Sequence, residues 1–144
     1  MTVYTVGHSG LPWGAFVALL TEFSIEIVAD VRRFPTSRKH PQFAREAMAA
    51  GLREVGIRYE WLGEELGGYR TGGYPAHMET EAFQDGIARL LRLSREGRVA
   101  VLCAERDPRG CHRRFIAAHL VGRGLSVVHI LGPRAIREEP LPLV

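Results

Sequence analysis

The run RVAVLCAERDPRGCHRRFIAAHLVGRGLSVVHIL, residues 98–131, contains the pattern that decides the fold. Its first seven residues, 98–104, are mostly apolar and predict a central buried strand. Helical spacing then predicts a helix over residues 111–123, with Gly122 and Gly124 near its end, and SVVHIL (126–131) predicts a second strand. A strand, a helix and a strand in succession indicate a right-handed crossover between two parallel strands.

The same alternation extends over the rest of the chain. Further strands are predicted at residues 2–7, 25–31 and 57–62, and further helices at about 12–23, 43–55 and 81–95. Such alternation predicts a three-layer α/β fold, a mainly parallel open sheet with helices on both faces. A chain of 144 residues is near the commonest domain size, so residues 1–144 are expected to form one α/β domain.

Two long segments interrupt the periodicity and are predicted to be loops. Residues 32–42 contain two prolines and several charges, which favour an irregular polar loop. Residues 63–78 contain five glycines and no apolar periodicity, which predicts a surface loop long enough to act as a lid or a binding loop. The last predicted strand is followed by a tail that prolines interrupt.

The composition is that of an ordinary globular protein, with 46% apolar and 24% charged residues. No run approaches the roughly 18 consecutive apolar residues of a membrane span, and the N-terminus lacks a secretory pattern, so a cytoplasmic protein without a membrane partner is expected. The net charge is +3, and Lys39 is the sole lysine, so arginine supplies nearly all the positive charge. Arginine slightly favours an anionic partner, while the cofactor and the oligomeric state are left open.

Reactive side chains are concentrated after the predicted strands. Ligands of open α/β sheets bind beyond the carboxyl ends of the strands, and the opposite loops, such as 94–97 and 122–124, carry few reactive groups. We therefore expect one shared pocket at this edge of the sheet. The candidate catalytic residues are His8, Asp30, Glu105 and Cys111, and the candidate anion-binding residues are Arg32, Arg33, Ser37, Cys111, His112 and Arg113.

Four motifs, in chain order, carry a resemblance to a known family. They are TVGHS near the start, DVRRFPTSR with Phe43 shortly after it, YEWLGEELGG in the middle and VLCAERDPRGCHR late in the chain. Together they resemble the domain-of-unknown-function 488 family over nearly the whole chain, and the CAE followed by CHR is the most specific part. The resemblance implies a fold and a set of site positions, but it implies no reaction.

The motif CAERDPRGCHRR predicts an anion site. If its single glycine, Gly110, starts the helix, Cys111, His112 and Arg113 occupy the first turn, where free backbone N–H groups and the helix dipole attract an anion. Arg113 would add donors for a phosphate, a carboxylate or a sulfate. The alternative is that Arg113 forms a buried structural ion pair with an acidic residue, Glu105 or Asp30.

The two cysteines are expected to be free thiols, metal ligands or a redox pair. A helix N-terminus beside His112 and Arg113 would lower the pKa of Cys111, which makes Cys111 the better thiolate candidate. Cys103 lies within VAVLCA, where a small buried side chain is the simpler interpretation. Its spacing to Arg109 matches the CxxxxxR loop of cysteine phosphatases, but acidic residues and a proline within that loop disfavour the match.

The sequence contains possible metal ligands, but it does not predict a metal site. Cys103, Cys111 and His112, with His8 or Glu105, are suitable zinc ligands. The sequence lacks a CxxC or HExxH spacing, however. In addition, adjacent residues on a helix point about 100° apart, which keeps Cys111 and His112 from sharing one ion.

The other polar residues at this edge have structural alternatives. His8 titrates near neutrality and is a candidate acid or base, or it is hydrogen-bonded to a nearby carboxylate. Ser9 is expected to cap the helix that follows. Asp30 at the end of a buried strand is costly unless it is paired, and Arg32 is its expected partner. His129 is expected to be a core histidine with satisfied hydrogen bonds.

Three functions follow from these observations. The first is an enzyme acting on a phosphate-containing nucleotide or nucleic acid, with proton transfer by His8 and by Glu105 or Asp30, and with the substrate anchored by Arg113. The second is a non-catalytic nucleic-acid-binding module, in which the glycine-rich residues 67–73 close over the ligand and aromatic residues stack on bases. The third is a cysteine-dependent thiol or sulfur-transfer protein. The sequence alone does not decide whether the chain is an enzyme.

Overall fold

The computed structural model describes residues 1–140. The strands are β1 (Thr2–Gly7), β2 (Ile27–Asp30), β3 (Arg58–Trp61), β4 (Val99–Cys103), β5 (Ser126–Gly132) and β6 (Ala135–Glu138). The helices are α1 (Trp13–Glu22), α2 (Arg45–Glu54), α3 (Gly63–Leu66), α4 (Tyr74–His77), α5 (Glu81–Glu96) and α6 (Arg113–Gly122), with short 3₁₀ turns at Pro41–Phe43 and Pro108–Gly110.

The six strands form one sheet in the order β3-β2-β4-β1-β5-β6. β1 to β5 run parallel to one another, and β6 is antiparallel to β5. Helices cover both faces, with α1 and α2 on one face and α5 and α6 on the other. The first layer packs through Phe16, Leu20, Met48 and Leu52, and the second packs through Phe83, Ile87, Leu90, Ile116 and Leu120. The predicted three-layer α/β fold is therefore confirmed.

β4 is the central strand that its sequence predicts, because all five of its residues are buried. Successive side chains of a strand point to opposite faces. Val101 and Cys103 accordingly belong to the core under α5 and α6, whereas Ala100 and Leu102 belong to the core under α1 and α2. This alternation places the last side chain of β4, the Cys103 thiol, on the α5 and α6 side.

The strand order creates a crevice at the carboxyl ends of β2 and β4. From β2 the chain continues to β3 on one side, and from β4 it crosses β1 to reach β5 on the other side. β2 and β4 are hydrogen-bonded neighbours, so their outgoing connections diverge at this point. Ligands of open α/β sheets bind at such switch points.

The helix predicted at residues 111–123 begins later, at Arg113. Residues Pro108–Gly110 form a separate turn, because the Asp107 side chain accepts a hydrogen bond from the backbone N–H of Arg109. Cys111 is extended, with φ of −140° and ψ of 153°. The prediction that Gly110 starts the helix is therefore wrong, and Cys111 lies before the helix instead of in its first turn.

The segment at residues 63–78 is not the surface loop that its glycines predict. It contains α3 and α4, and it buries Leu66, Tyr74 and His77. The Tyr74 hydroxyl donates a 2.8 Å hydrogen bond to the carbonyl oxygen of Leu66 and thereby joins the two short helices. The segment has too few apolar residues to show a helical period, yet Leu66, Tyr74 and His77 are each buried.

β6 was also not predicted, because the proline-interrupted tail shows no strand pattern. Pro133 and Arg134 form a tight turn, with Arg134 at a φ of +56°, and the chain returns along β5.

Ser9 does not cap the first helix, since α1 begins at Trp13 without a side-chain cap. Within residues 1–140, no helix has both the length and the apolar character needed to span a membrane.

Candidate functional site

A cavity of about 270 Å³ lies beyond the carboxyl ends of β2 and β4. Its walls come from the residues that follow β2, from the end of β4 and the segment after it, and from the segment between α3 and α4. The side chains that matter below are Arg33, Phe34, Tyr69, Cys103, Glu105, Cys111 and His112. We call this cavity the thiol pocket, because both cysteines of the chain line it.

The two thiols are in contact in this pocket. Cys103 ends β4 and is 2% exposed, whereas Cys111 is only partly buried. Their sulfur atoms are 2.6 Å apart, and both cysteines are free. The turn at Pro108–Gly110 folds the chain back after β4, which brings Cys111 over Cys103 although eight positions separate them in sequence. The site thus pairs a buried thiol with an accessible one.

The surroundings stabilise the Cys111 thiolate. The hydrogen bond from the Cys103 thiol outweighs burial and lowers the pKa of Cys111 to about 4, with His112 and the backbone N–H of Arg113 acting in the same direction. That N–H lies 3.4 Å from the Cys111 sulfur. Burial, reinforced by the hydrogen bond to Cys111, raises the pKa of Cys103. These shifts favour the thiolate form of Cys111 and the protonated form of Cys103.

His112 faces Cys111 in an orientation that a backbone carbonyl fixes. Its Nε2 lies 2.9 Å from the carbonyl oxygen of Val31, and its Nδ1 lies 3.7 Å from the Cys111 sulfur. Gly68 packs against the same ring, where an added Cβ would lie 3.1 Å from Nδ1. A nucleophile, a base within reach and a group that orients the base form the arrangement that activates a catalytic thiol.

Arg113 does not point into the pocket. Its side chain is fully buried, and it donates hydrogen bonds to the Thr5 hydroxyl and to the carbonyl oxygens of Glu105 and Arg106, at 2.7 to 3.0 Å. Among the described residues 1–140 no carboxylate forms an ion pair with Arg113, and its side chain is not exposed to an anion, so its position differs from both alternatives that the sequence suggests. It holds the chain between the two cysteines.

A line of buried hydrogen bonds continues from Arg113 across the sheet. The Thr5 hydroxyl contacts Nδ1 of His129, and Nε2 of His129 lies 2.7 Å from Oε1 of Glu139. His129 is fully buried with both ring nitrogens paired, so the prediction of a satisfied core histidine is confirmed. Burial lowers its pKa. We call these four side chains the Arg113 relay.

His8 and Asp30 gather on the other face of the sheet, where they meet the guanidinium of Arg32, a residue that also lines the thiol pocket. Arg32 Nε and Nη2 donate to the two carboxylate oxygens of Asp30, at 2.9 and 2.7 Å, and the Tyr59 hydroxyl donates to the same carboxylate. The expected pairing of Asp30 with Arg32 is thus confirmed. Nη1 of Arg32 donates to the carbonyl oxygen of Phe43, so its donors are used within the protein.

His8 lies beside this ion pair and is excluded from the pocket. It is 4% exposed, stacks on Phe43 with ring centroids 4.3 Å apart, and has its Nδ1 2.7 Å from the carbonyl oxygen of Ser9. Burial lowers the pKa of His8 to about 4. The side chain is therefore neutral at physiological pH, and its Nε2 faces Arg32 Nη1 at 3.4 Å.

The remaining predicted site residues divide between the pocket and its surroundings. Glu105 lines the pocket and is exposed. Arg33 also lines it, with its guanidinium 5.3 Å from the Phe34 ring centre. Ser37 takes part in a turn instead, where its hydroxyl accepts a hydrogen bond from the His40 backbone. Within the described residues 1–140, no group of three or more His, Cys, Asp or Glu side chains could hold a metal ion.

Sequence reasoning missed two features of the site. The sequence favours a small core residue at Cys103, and the structure shows that Cys103 both belongs to the core and contacts the second thiol. The alternation along β4 could have indicated which face it occupies. The Val31 carbonyl that orients His112 has no signal in the sequence, because any residue supplies a carbonyl there.

A comparison with protein families finds a match for this chain. The family described as Domain of unknown function DUF488 matches residues 12–120. Neither the curated proteins nor the solved structures compared with this chain gave a match.

Proposed function

Because the chain belongs to the Domain of unknown function DUF488 family, whose description assigns no reaction, we propose a function from its own residues: thiol–disulfide exchange through Cys111 and Cys103. The observation that carries this proposal is the contact between a partly buried thiol and a fully buried thiol in one pocket. The opposite displacements of their pKa values support the same division of roles. This is the third of the functions that the sequence left open.

The first step uses the Cys111 thiolate. It attacks one sulfur of a substrate disulfide, forming a bond between that sulfur and Cys111, while the substrate S–S bond breaks. The other half of the substrate leaves as a thiolate. Attack requires the thiolate form, which the hydrogen bonds to the Cys111 sulfur maintain at neutral pH.

The second step uses Cys103. Its thiol gives its proton to the departing sulfur and attacks the Cys111 sulfur of the mixed disulfide, so a Cys103–Cys111 disulfide forms and the second substrate thiol leaves. Two electrons pass from the cysteine pair to the substrate. An external dithiol reductant then restores the pair by the same exchange chemistry.

His112 is the proposed base that takes the Cys111 proton before the first step, so that Cys111 enters that step as a thiolate. Because a carbonyl oxygen only accepts hydrogen bonds, Nε2 carries the proton that is donated to Val31, and Nδ1 is free to exchange a proton with Cys111. His8 and Asp30, which the sequence suggested for proton transfer, are proposed to support the fold at this edge of the sheet.

The test uses bis(2-hydroxyethyl) disulfide and mass spectrometry. We expect the reduced wild-type chain to lose two hydrogens as the internal disulfide forms, and Cys103→Ser to accumulate one mercaptoethanol adduct at Cys111. We expect Cys111→Ser to react far more slowly. The proposal is wrong if Cys111→Ser reacts as fast as the wild type, or if Cys103→Ser forms no adduct.

A second candidate function is action on, or binding of, a phosphate-containing nucleotide or nucleic acid. Arg32 and Arg113 support it little, because their guanidinium groups bond within the protein. One observation favours it, a second cavity of about 310 Å³ whose lining includes Arg106, Arg109 and Arg137. Two of these guanidinium groups also bond within the protein, that of Arg109 to Asp107 in the same lining and that of Arg106 to the carbonyl oxygen of Leu131. Binding to single-stranded DNA or RNA should then weaken steeply as salt increases, and salt-independent or absent binding would exclude it.

A further inference from the structure

Two aromatic side chains stand exposed at the mouth of the thiol pocket. Phe34, which follows β2, is 61% exposed, and Tyr69, between α3 and α4, is 85% exposed. Both line the pocket, and their ring centroids are 6.0 Å apart with an interplanar angle of 34°. Large aromatic side chains that are this accessible at the opening of a cavity leave ring surface free for a ligand.

The backbone of Tyr69 adopts a conformation that tyrosine rarely takes. Its φ is +59°, in the left-handed region where glycine is normally found, although Gly67 and Gly68 directly precede it. Such a residue persists only where its surroundings hold it, and these positions concentrate at ligand-binding sites. Tyr69 therefore occupies a position where glycine would fit the backbone better.

Arg33 holds the two aromatic residues in this arrangement. Its Nη1 donates a 2.5 Å hydrogen bond to the carbonyl oxygen of Tyr69, and its guanidinium carbon lies 5.3 Å from the Phe34 ring centre. The Arg33 guanidinium thus fixes the backbone of Tyr69 and packs on the ring of Phe34. The pair is organised before any ligand arrives, which lowers the entropic cost of binding.

We propose that Phe34 and Tyr69 determine specificity, by favouring substrates with an aromatic or heteroaromatic ring next to the sulfur that Cys111 attacks. This inference rests on the proposed thiol–disulfide exchange. The ring would stack at the pocket mouth while its sulfur reaches Cys111 inside. The cavity volume of about 270 Å³ is at the small end of ligand pockets, which suits a single ring.

The experiment compares two neutral disulfides, 4,4′-dithiodipyridine as the heteroaromatic probe and bis(2-hydroxyethyl) disulfide as the aliphatic probe. Second-order rate constants are measured for the wild type and for a Phe34→Leu, Tyr69→Asn double variant. Asparagine tolerates the left-handed backbone at position 69, so the variant removes the rings without adding strain. Val55→Ala, at an exposed apolar position outside the pocket, is the control.

The intrinsic reactivity of each probe cancels when each rate constant is divided by the wild-type value for the same probe. We expect the double variant to lose at least about fivefold more rate with the heteroaromatic probe than with the aliphatic probe. Val55→Ala should change neither rate constant.

Equal losses with both probes, or no loss with either, would overturn the inference while leaving thiol–disulfide exchange intact. If the wild type forms the Cys103–Cys111 disulfide with neither probe, the proposed function itself fails, and the specificity inference fails with it. The two failures are therefore distinguished by whether the wild type reacts.

Discussion

Nε2 of His112 lies 2.9 Å from the carbonyl oxygen of Val31, and this contact determines which ring nitrogen faces Cys111. Because the carbonyl can only accept, Nε2 must donate, and Nδ1 is left 3.7 Å from the Cys111 sulfur. Val31 directly follows β2 and His112 directly precedes α6, so the orientation of the base depends on how these two elements meet.

His112→Gln tests this orientation. Glutamine can still donate to the Val31 carbonyl, but it cannot accept the Cys111 proton, so the pKa of Cys111 should rise. We expect alkylation of Cys111 by iodoacetamide at pH 5.5 to slow by about tenfold and to recover at higher pH, where the thiol ionises unaided. His119→Gln, on α6, is the control. An unchanged pH profile in His112→Gln would exclude His112 as the base.

Cys103→Ala should also raise the pKa of Cys111, because the Cys103 thiol is the largest cause of its lowering to about 4. In the wild type, the rate of Cys111 alkylation should be nearly independent of pH between about 5.5 and 8. The alkylation rate of an ordinary thiol with a pKa near 8.5 rises with pH across that whole range. Cys103→Ala should restore the rise of the alkylation rate with pH that an ordinary thiol shows. Cys103→Ser keeps a hydrogen-bond donor and should restore that rise less. Identical profiles for alanine and serine would contradict this account.

Arg113→Met should destabilise the protein strongly. Methionine fills part of the space but leaves the carbonyl oxygens of Glu105 and Arg106 without their buried donor. We expect the free energy of unfolding in urea to fall by about 3 kcal/mol, given the usual contribution of hydrogen bonds to a charged donor. Arg114→Met changes the exposed neighbour and should cost less than about 1 kcal/mol. Similar losses in both variants would show that Arg113 does not hold this segment.

His8 should make the fold sensitive to acid. Its pKa is lowered to about 4 in the folded protein, below the ordinary histidine value of about 6.5, so the unfolded chain binds the proton more readily. Stability is therefore retained above pH 6.5 and lost as the pH falls towards 4, by about 3 kcal/mol in total. Urea titrations across this range should show a shallower loss for His8→Gln. An unchanged slope would mean that another group causes the acid sensitivity.

The alternation of side chains along the strands explains why the predicted site was only partly found. Sequence reasoning placed His8, Asp30 and Cys111 in one pocket, because parallel strands end at the same edge. An edge has two faces, however, and His8 and Asp30 lie on the α1 and α2 side, whereas Cys103 ends β4 on the opposite side. The alternation of side chains along β4 indicates which face Cys103 occupies. The irregular segments after the strands have no such alternation, so the face that their residues occupy is not predicted.

The sequence does not predict which way an arginine side chain points, and the reason is a different one. Arg113 and Arg33 both follow strands of the same sheet and carry the same charge, yet one is fully buried and the other lines the pocket. Burial of a guanidinium depends on the backbone carbonyls that happen to converge on it, here those of Glu105 and Arg106. The strands and long helices, by contrast, followed from apolar periodicity, which reflects burial alone.

The Arg113 relay ties the final hairpin of the sheet to the segment that separates the two cysteines. Its members run from Glu139, just beyond β6, through His129 and Thr5 to the carbonyls at positions 105 and 106. Fraying of the hairpin would remove the Glu139 partner of His129, and amide hydrogen exchange would detect whether the two regions open as one cooperative unit. In Glu139→Gln, we expect the amides of residues 105–111 to lose protection together with those of β6.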